Sequence, residues 1–204
     1  MIRILSYGSG NIKAITRIFK TLNIACEIAA NKSELAGATK LILPGVGAFD
    51  QAINLLEKSG MLDELNRLVL DDKIPVLGVC VGMQIMGKSS EEGARKGLGW
   101  VDGIVKQIDT SNLTCKPLLP HMGWNGIVPQ LDHPILQDID FVRGFYFLHS
   151  FHFQCNKPNN VLACSNYGHS FASAIYSDNI FGFQFHPEKS HRNGIQLFQN
   201  YSQL

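Results

Sequence analysis

Apolar positions in the first half of the chain fall into two alternating periods. Residues 2–7 form a short apolar run with β-branched content. The turn Gly8-Ser9-Gly10-Asn11 follows, then Ile12, Ile15, Ile18, Phe19 and Leu22 at helical spacing. The pattern predicts strand, turn, helix. Residues 24–29 and 40–43 predict two more strands, the second running into Pro44-Gly45-Val46-Gly47 and an amphipathic helical stretch over 48–70. Residues 74–79 predict a fourth strand, which leads into Cys80 and a helix from 81 to about 87. Strands that are apolar throughout are buried on both faces, so this half predicts a doubly wound parallel sheet flanked by helices. Beyond Gly97 the helical spacing stops. Short runs at 104–108, 144–153, 161–165, 172–176 and 182–185, punctuated by Gly, Pro, Asn and Asp, predict antiparallel additions to the sheet. Residues 193–201 predict a closing helix. With no repeat, linker or low-complexity tract, residues 1–204 read as one domain.

Composition narrows the partners. Of 204 residues, 45% are hydrophobic, enough to bury a full core, and 18 basic against 17 acidic residues give no field to collect phosphate backbones or anionic membrane. Nucleic acid and membrane are therefore not expected partners. The opening MIRILSYGSG lacks the apolar core and cleavage site of a signal peptide, and no run reaches the length of a membrane helix, so a cytosolic protein is expected. Five cysteines, at 26, 80, 115, 155 and 164, are an odd number without close pairing, which speaks against a disulfide framework and a CxxC zinc site. No metal or cofactor is expected, and at least one thiol needs its own explanation.

That thiol is Cys80. Gly78-Val79-Cys80-Val81-Gly82 has the spacing of a nucleophile elbow, a sharp strand-to-helix turn that strains the central residue and lifts its side chain clear of the sheet. A side chain at 78 or 82 would collide across so tight a turn, and the helix N-terminus behind it favours a thiolate. The alternative is a small buried hydrophobe, to which packing or surface role the other four cysteines are assigned.

A reactive thiol needs a base held by an orienting group. Gly182-Phe183-Gln184-Phe185-His186-Pro187-Glu188 supplies both. The proline biases His186 towards an extended conformation, and side chains two apart on an extended chain share a side, so Glu188 can hold the imidazole nitrogen remote from sulfur. Alone, this segment could equally be a solvated strand end; the elbow is what gives it a partner. His121, His133, His149, His152, His169 and His191 have no comparable partner. His149 and His152, three apart in one expected strand, would face opposite ways, against a metal pair. Gly8-Ser9-Gly10 lacks the third glycine of a dinucleotide fingerprint, since Lys13 stands there.

An elbow cysteine followed by His-x-Glu near the C-terminus resembles the class I (triad) glutamine amidotransferases over nearly the whole chain. Leu43-Pro44-Gly45-Val46-Gly47-Ala48-Phe49, Pro120-His121-Met122-Gly123-Trp124-Asn125 and Tyr146-Phe147-Leu148-His149-Ser150 narrow the resemblance to the glutaminase subunits of imidazole glycerol phosphate synthase. It implies a flavodoxin-like α/β sheet with a parallel core, antiparallel additions and helices on both faces. The catalytic residues would be Cys80, His186 and Glu188. It places the oxyanion hole at Gly45, Val46 and Gly47 with Val81, and a loop of small residues is physically able to aim an N–H at developing charge; an ordinary strand-to-helix turn is the other reading. It gives Gln84, Tyr146 and Ser150 to glutamine, though each could be an ordinary polar, aromatic or loop group. It places Asn11, Met122, Trp124 and Lys189 where the family meets a (β/α)8-barrel cyclase that receives ammonia through a protected passage; Trp124 could instead anchor the core. The implied assembly is a cytoplasmic heterodimer without a cofactor. Ser6 stands where the family usually has aspartate and Phe151 where tyrosine is common, which leaves open paralogues that feed nitrogen to bacterial surface sugars. A thiol hydrolase, peptidase or redox module on the same elbow is the alternative from another class.

Overall fold

A computed structural model describes residues 1–114, 116 and 118–204; Cys115, assigned above to packing or the surface, lies outside the described residues. In chain order the elements are β1 (Ile2–Leu5), α1 (Ile12–Thr21), β2 (Cys26–Ala29), β3 (Lys40–Gly45), α2 (Phe49–Lys58), α3 (Leu62–Asn66), β4 (Val76–Cys80) and α4 (Val81–Gln84). The second half adds β5 (Gly103–Gln107), β6 (His121–Asn125), β7 (Val128–Pro129), β8 (Phe145–His149), β9 (Phe151–Cys155), β10 (Val161–Tyr167), β11 (His169–Ser177), β12 (Ile180–Phe183) and α5 (His191–Gln203).

The main sheet runs β2-β1-β3-β4-β12-β11-β10-β7, with β9 joining β11 to β5. β2, β1, β3, β4 and β12 are mutually parallel, and the pairings beyond β12 are antiparallel. From β1 the chain moves outward through α1 to β2, whereas from β3 it moves the other way through α2 and α3 to β4. Right-handed crossovers in opposite directions put their helices on opposite faces. Accordingly, α1 packs with α5 through Phe19 and Phe198, ring centres 5.3 Å apart. Every residue of β4 is buried, as its uninterrupted apolar sequence requires. Tyr201 of α5 donates from its buried hydroxyl towards the carbonyls of Leu41 and Pro75, tying the last helix to the central strands.

The α/β class and the parallel first half agree with the sequence, but five details differ. The stretch 48–70 is not one helix: Ser59-Gly60 ends α2, with Gly60 at φ +70°, and α3 runs on into a π turn, Arg67–Asp71. The elbow helix stops at Gln84 rather than near 87, because Met86 and Gly87 donate three residues back and Lys88 turns to pair with Gly103. The run expected over 182–185 is parallel to its neighbour β4, not antiparallel; a hairpin turn from β11 delivers it there, Ile180 opposite Val76 and Gly182 opposite Gly78. The run 144–153 is two strands broken at Ser150. β8 pairs with β6 in a separate two-stranded sheet, while β9 pairs with β5 and β11. His149 and His152 therefore sit on different strands, and the opposite-face argument does not apply to them. Among the described residues, no helix is long and apolar enough to cross a membrane.

Candidate active site

Register alone brings the principal residues together. Gly45 of β3 lies opposite Cys80 of β4, and Phe183 of β12 lies opposite Val79, so the ends of three adjacent parallel strands deliver the glycine loop, the thiol and the His186 segment to one edge. In open α/β sheets that carboxyl edge is where ligands bind.

Cys80 takes φ 55° and ψ −115°, a backbone conformation that a non-glycine residue adopts only under constraint. The constraint is steric. A Cβ on Gly78 would meet the Gly82 carbonyl and the Met83 backbone, as the elbow argument requires. A Cβ on Gly82 would strike not the far side of the elbow but the Leu43 carbonyl, because the helix start is pressed against β3. Cys80 is only 4% exposed, yet it lines a cavity of about 340 Å³ together with His186, Val46, Gly47, Val81, Gln84, Ser150 and Lys189.

His186 Nδ1 lies 2.8 Å from Glu188 Oε1, both side chains almost wholly buried. The contact expected on an extended chain is made instead across a short 3-10 turn, Pro187–Lys189. Ser190 fixes the turn: its hydroxyl donates to the His186 carbonyl at 2.6 Å and accepts from the Tyr146 N–H, while the His186 N–H donates to the Tyr146 carbonyl. With Nδ1 occupied, Nε2 is left for Cys80. Burial alone pulls the His186 pKa down, but hydrogen bonds to Cys80 and Glu188, helped by their negative charges, outweigh it and carry the value up to about 10. The contacts thus favour an imidazolium beside the Cys80 sulfur.

The other expected residues divide. Gln84 is buried, its Nε2 donating to the Phe151 carbonyl and to Gln184 Oε1, each at 3.0 Å. Tyr146 is not among the residues lining the 340 Å³ cavity; its ring lies beneath Lys189 Nζ, 5.6 Å away. The Val46 N–H is engaged by Ser9 Oγ at 2.8 Å, and the same hydroxyl reaches the Val46 carbonyl at 2.8 Å. In this conformation that N–H is held by Ser9 and not offered to the cavity. Asn11 joins Gly10, Val46, His186, Glu188 and Lys189 around a smaller cavity of about 190 Å³. Met122 and Trp124 are 61% and 44% exposed, Trp124 stacked on His191 at 5.6 Å, so Trp124 is no core anchor.

Several lining or supporting groups escaped the sequence reading. Glu92 reaches the cavity while its Oε2 accepts from the Phe49 N–H. His149 lines it too and has a partner after all, His121, with ring nitrogens 3.0 Å apart across β6 and β8. Phe151, where tyrosine is common in the resembled family, also contributes to the wall, while Ser6 does not. A carboxylate outside any motif carries no local signal, and the histidine pair depends on strand pairing.

Comparison with known proteins agrees with this geometry. The family model for glutamine amidotransferase class-I matches residues 3–202. The chain is 47% identical over 204 residues to the imidazole glycerol phosphate synthase subunit HisH of Leptospira interrogans, covering all of both chains. It is 48% identical to that of Bdellovibrio bacteriovorus, again over the full length of both. Among solved structures, PurLQS from Thermotoga maritima superimposes with a TM-score of 0.72 at 15% identity, covering 98% of this chain and 96% of that one, a likeness of fold alone. The chain belongs to the class-I glutamine amidotransferases and, within them, to the family of HisH subunits of imidazole glycerol phosphate synthase.

Proposed function

We propose that residues 1–204 act as one amidotransferase domain, the glutaminase subunit of an imidazole glycerol phosphate synthase in histidine biosynthesis, working in the cytoplasm. Cys80 thiolate attacks the carboxamide carbon of glutamine, forming the C–S bond and a tetrahedral oxyanion. The oxyanion takes N–H donors from the Gly45-Val46-Gly47 loop and from Val81 at the helix start. As the C–N bond breaks, His186 gives its proton to the leaving nitrogen and ammonia departs. Water then loses a proton to His186 and adds to the γ-glutamyl thioester, releasing glutamate and the thiol. Glu188 holds the ring through both halves. Gln84 and Ser150 orient the substrate, Glu92 offers a carboxylate to its α-ammonium group, and Tyr146 supports the His186 segment through its backbone.

Ammonia released into bulk water at neutral pH would be protonated and lost as a nucleophile. A closed passage into a (β/α)8-barrel cyclase, met by Asn11, Met122, Trp124 and Lys189, answers that need, and the isolated chain is expected to be a poor glutaminase. The observation that carries the reading is the strained Cys80 lining one cavity of about 340 Å³ with His186, whose ring Glu188 holds. Full-length identity near one half to HisH subunits favours it over the surface-sugar acceptor and over a thiol hydrolase. Cys80→Ala, assayed for glutamate release with the cognate synthase bound, is expected to abolish activity; retained turnover would exclude Cys80 as the nucleophile.

A further inference from the structure

Gln184 lies two residues before His186, wholly buried, and the mechanism above leaves its side chain without a task. Its surroundings dictate which way its amide points. The Phe151 carbonyl can only accept, and it takes hydrogen bonds from His149 Nδ1 at 2.8 Å and from Gln84 Nε2 at 3.0 Å. That fixes the NH2 end of Gln84. The same NH2 reaches the neighbouring amide at 3.0 Å, so Gln184 must present its oxygen there. Its own NH2 is then left facing Cys80 Sγ, 3.8 Å away. Flipping either amide would bring two NH2 groups together or set an oxygen against the Phe151 carbonyl.

The backbone holds the group in place. The Gln184 N–H donates to the Ser173 carbonyl, and Gln184 follows Phe183, which pairs with Val79 beside the nucleophile. A donor that cannot rotate away, in a site nearly closed to water, interacts strongly with a charge.

We infer that Gln184 is a catalytic residue for the thiolate: its Nε2–H donates to the Cys80 sulfur, while its Oε1 locks the Gln84 amide so that the Gln84 oxygen is left for the substrate. The inference rests on Cys80 being the nucleophile, as proposed above. One side chain thereby couples the ionisation of the nucleophile to the orientation of a substrate-holding group 100 positions away in sequence.

Alkylation of Cys80 by iodoacetamide, followed by mass spectrometry of the Cys80 peptide across pH, tests this without glutamine. Gln184→Met keeps the volume and removes the donor; Gln184→Glu keeps the shape and replaces the donor with an acceptor. Both are expected to move the alkylation midpoint upwards, by about one pH unit for a lost hydrogen bond to a charged group, with the larger shift in Gln184→Glu. With the synthase bound, kcat should fall about tenfold or more and KM for glutamine should rise, the second change reporting a released Gln84. A Gln184→Met midpoint equal to that of the unaltered chain overturns the inference. Should neither variant fold, the side-chain amide resonances of Gln184 in the unaltered protein must shift on alkylation of Cys80, and their failure to move overturns it equally. Turnover by Cys80→Ala would instead refute the nucleophile itself, so the two failures are distinct.

Discussion

Glu188 Oε1 accepts from His186 Nδ1 at 2.8 Å across a single 3-10 turn, and among the described residues the other oxygen, Oε2, is buried without a partner. The carboxylate thus spends its contacts within the protein on the imidazole, which fixes the ring's tautomer and supports its charge. Glu188→Gln keeps the shape and loses the charge. Glutaminase activity in the synthase complex is expected to fall by roughly 10²- to 10⁴-fold, the scale of a misaligned acid–base group. The pH profile should move as well. Since the His186 pKa is raised to about 10, the acid form and the stability its contacts contribute are fully present below 6.5. Both are lost as pH rises through about 10. The alkaline limb of kcat/KM should therefore lie near 10 and drop towards 6.5 in Glu188→Gln; an unaltered limb would mean that Glu188 does not support the imidazolium.

The elbow makes a steric prediction. Gly82 abuts the carbonyls of Leu43 and Pro44, and a methyl group there has nowhere to go. Gly82→Ala must push α4 away from β3, moving Cys80 and opening the core beneath it, at a cost of about 1–3 kcal/mol typical of overpacking. A thermal melt and glutamate release should fall together. Gly60→Ala faces open space, though its φ of +70° strains a side chain; it should lower stability by less and leave turnover intact. Comparable losses of activity in both would remove the special status of the elbow.

What could be read from the chain follows the range of the interactions. Gly78, Cys80 and Gly82 are legible because one tight turn imposes their spacing, and His186 with Glu188 because two residues suffice to make the contact. β1, β3 and β4 show themselves through apolar runs that are largely buried, whereas β2, at the sheet edge, exposes Glu27 and Ile28 and is not covered on both faces. Gln84 and Gln184, by contrast, meet only because β4 and β12 are neighbours, and nothing local to 182–185 says that β12 lies parallel to β4. The break at Ser150 is equally silent: the alternation of apolar residues continues through it while the chain passes from one sheet to another. Motif spacing located the catalytic candidates, but the groups that hold them in place depend on strand order.

Ser9 predicts how the loop is restrained. Its hydroxyl accepts from the Val46 N–H and approaches the Val46 carbonyl, both at 2.8 Å, so that N–H can serve an oxyanion only after leaving Ser9. Ser9→Ala removes the competing acceptor. Loss of a hydrogen bond of about 1 kcal/mol should raise the glutaminase rate of the isolated chain about fivefold and shrink the stimulation given by the synthase. Glutamate release with and without the partner decides the matter. A slower isolated chain with full stimulation would show that Ser9 props the productive arrangement instead.

Acid should unfold the protein through its buried histidine pair. Because the Phe151 carbonyl only accepts, His149 must donate from Nδ1, leaving Nε2 to accept from His121 Nδ1, 3.0 Å away; His121 Nε2 then faces the Asn125 amide at 3.3 Å. Each ring carries one proton, and a second on either breaks the chain. Burial lowers His121 to about 4; burial, only partly offset by the Phe151 hydrogen bond, lowers His149 to about 3. Unfolded, both would titrate near 6.5, so the unfolded chain binds up to about two more protons than the native one between those values. Stability is accordingly expected to be full above 6.5 and to decline as pH falls towards 4. Melting temperature measured from pH 7.5 to 4.5 should drop steeply for the natural sequence, and less steeply for His121→Asn with His149→Gln, which starts lower for want of the native packing. Equal slopes would assign acid sensitivity to other groups. Since His149 also lines the cavity and shares the Phe151 carbonyl with Gln84, glutaminase activity in the complex should fail over the same range, before the far-ultraviolet signal of the sheet is lost.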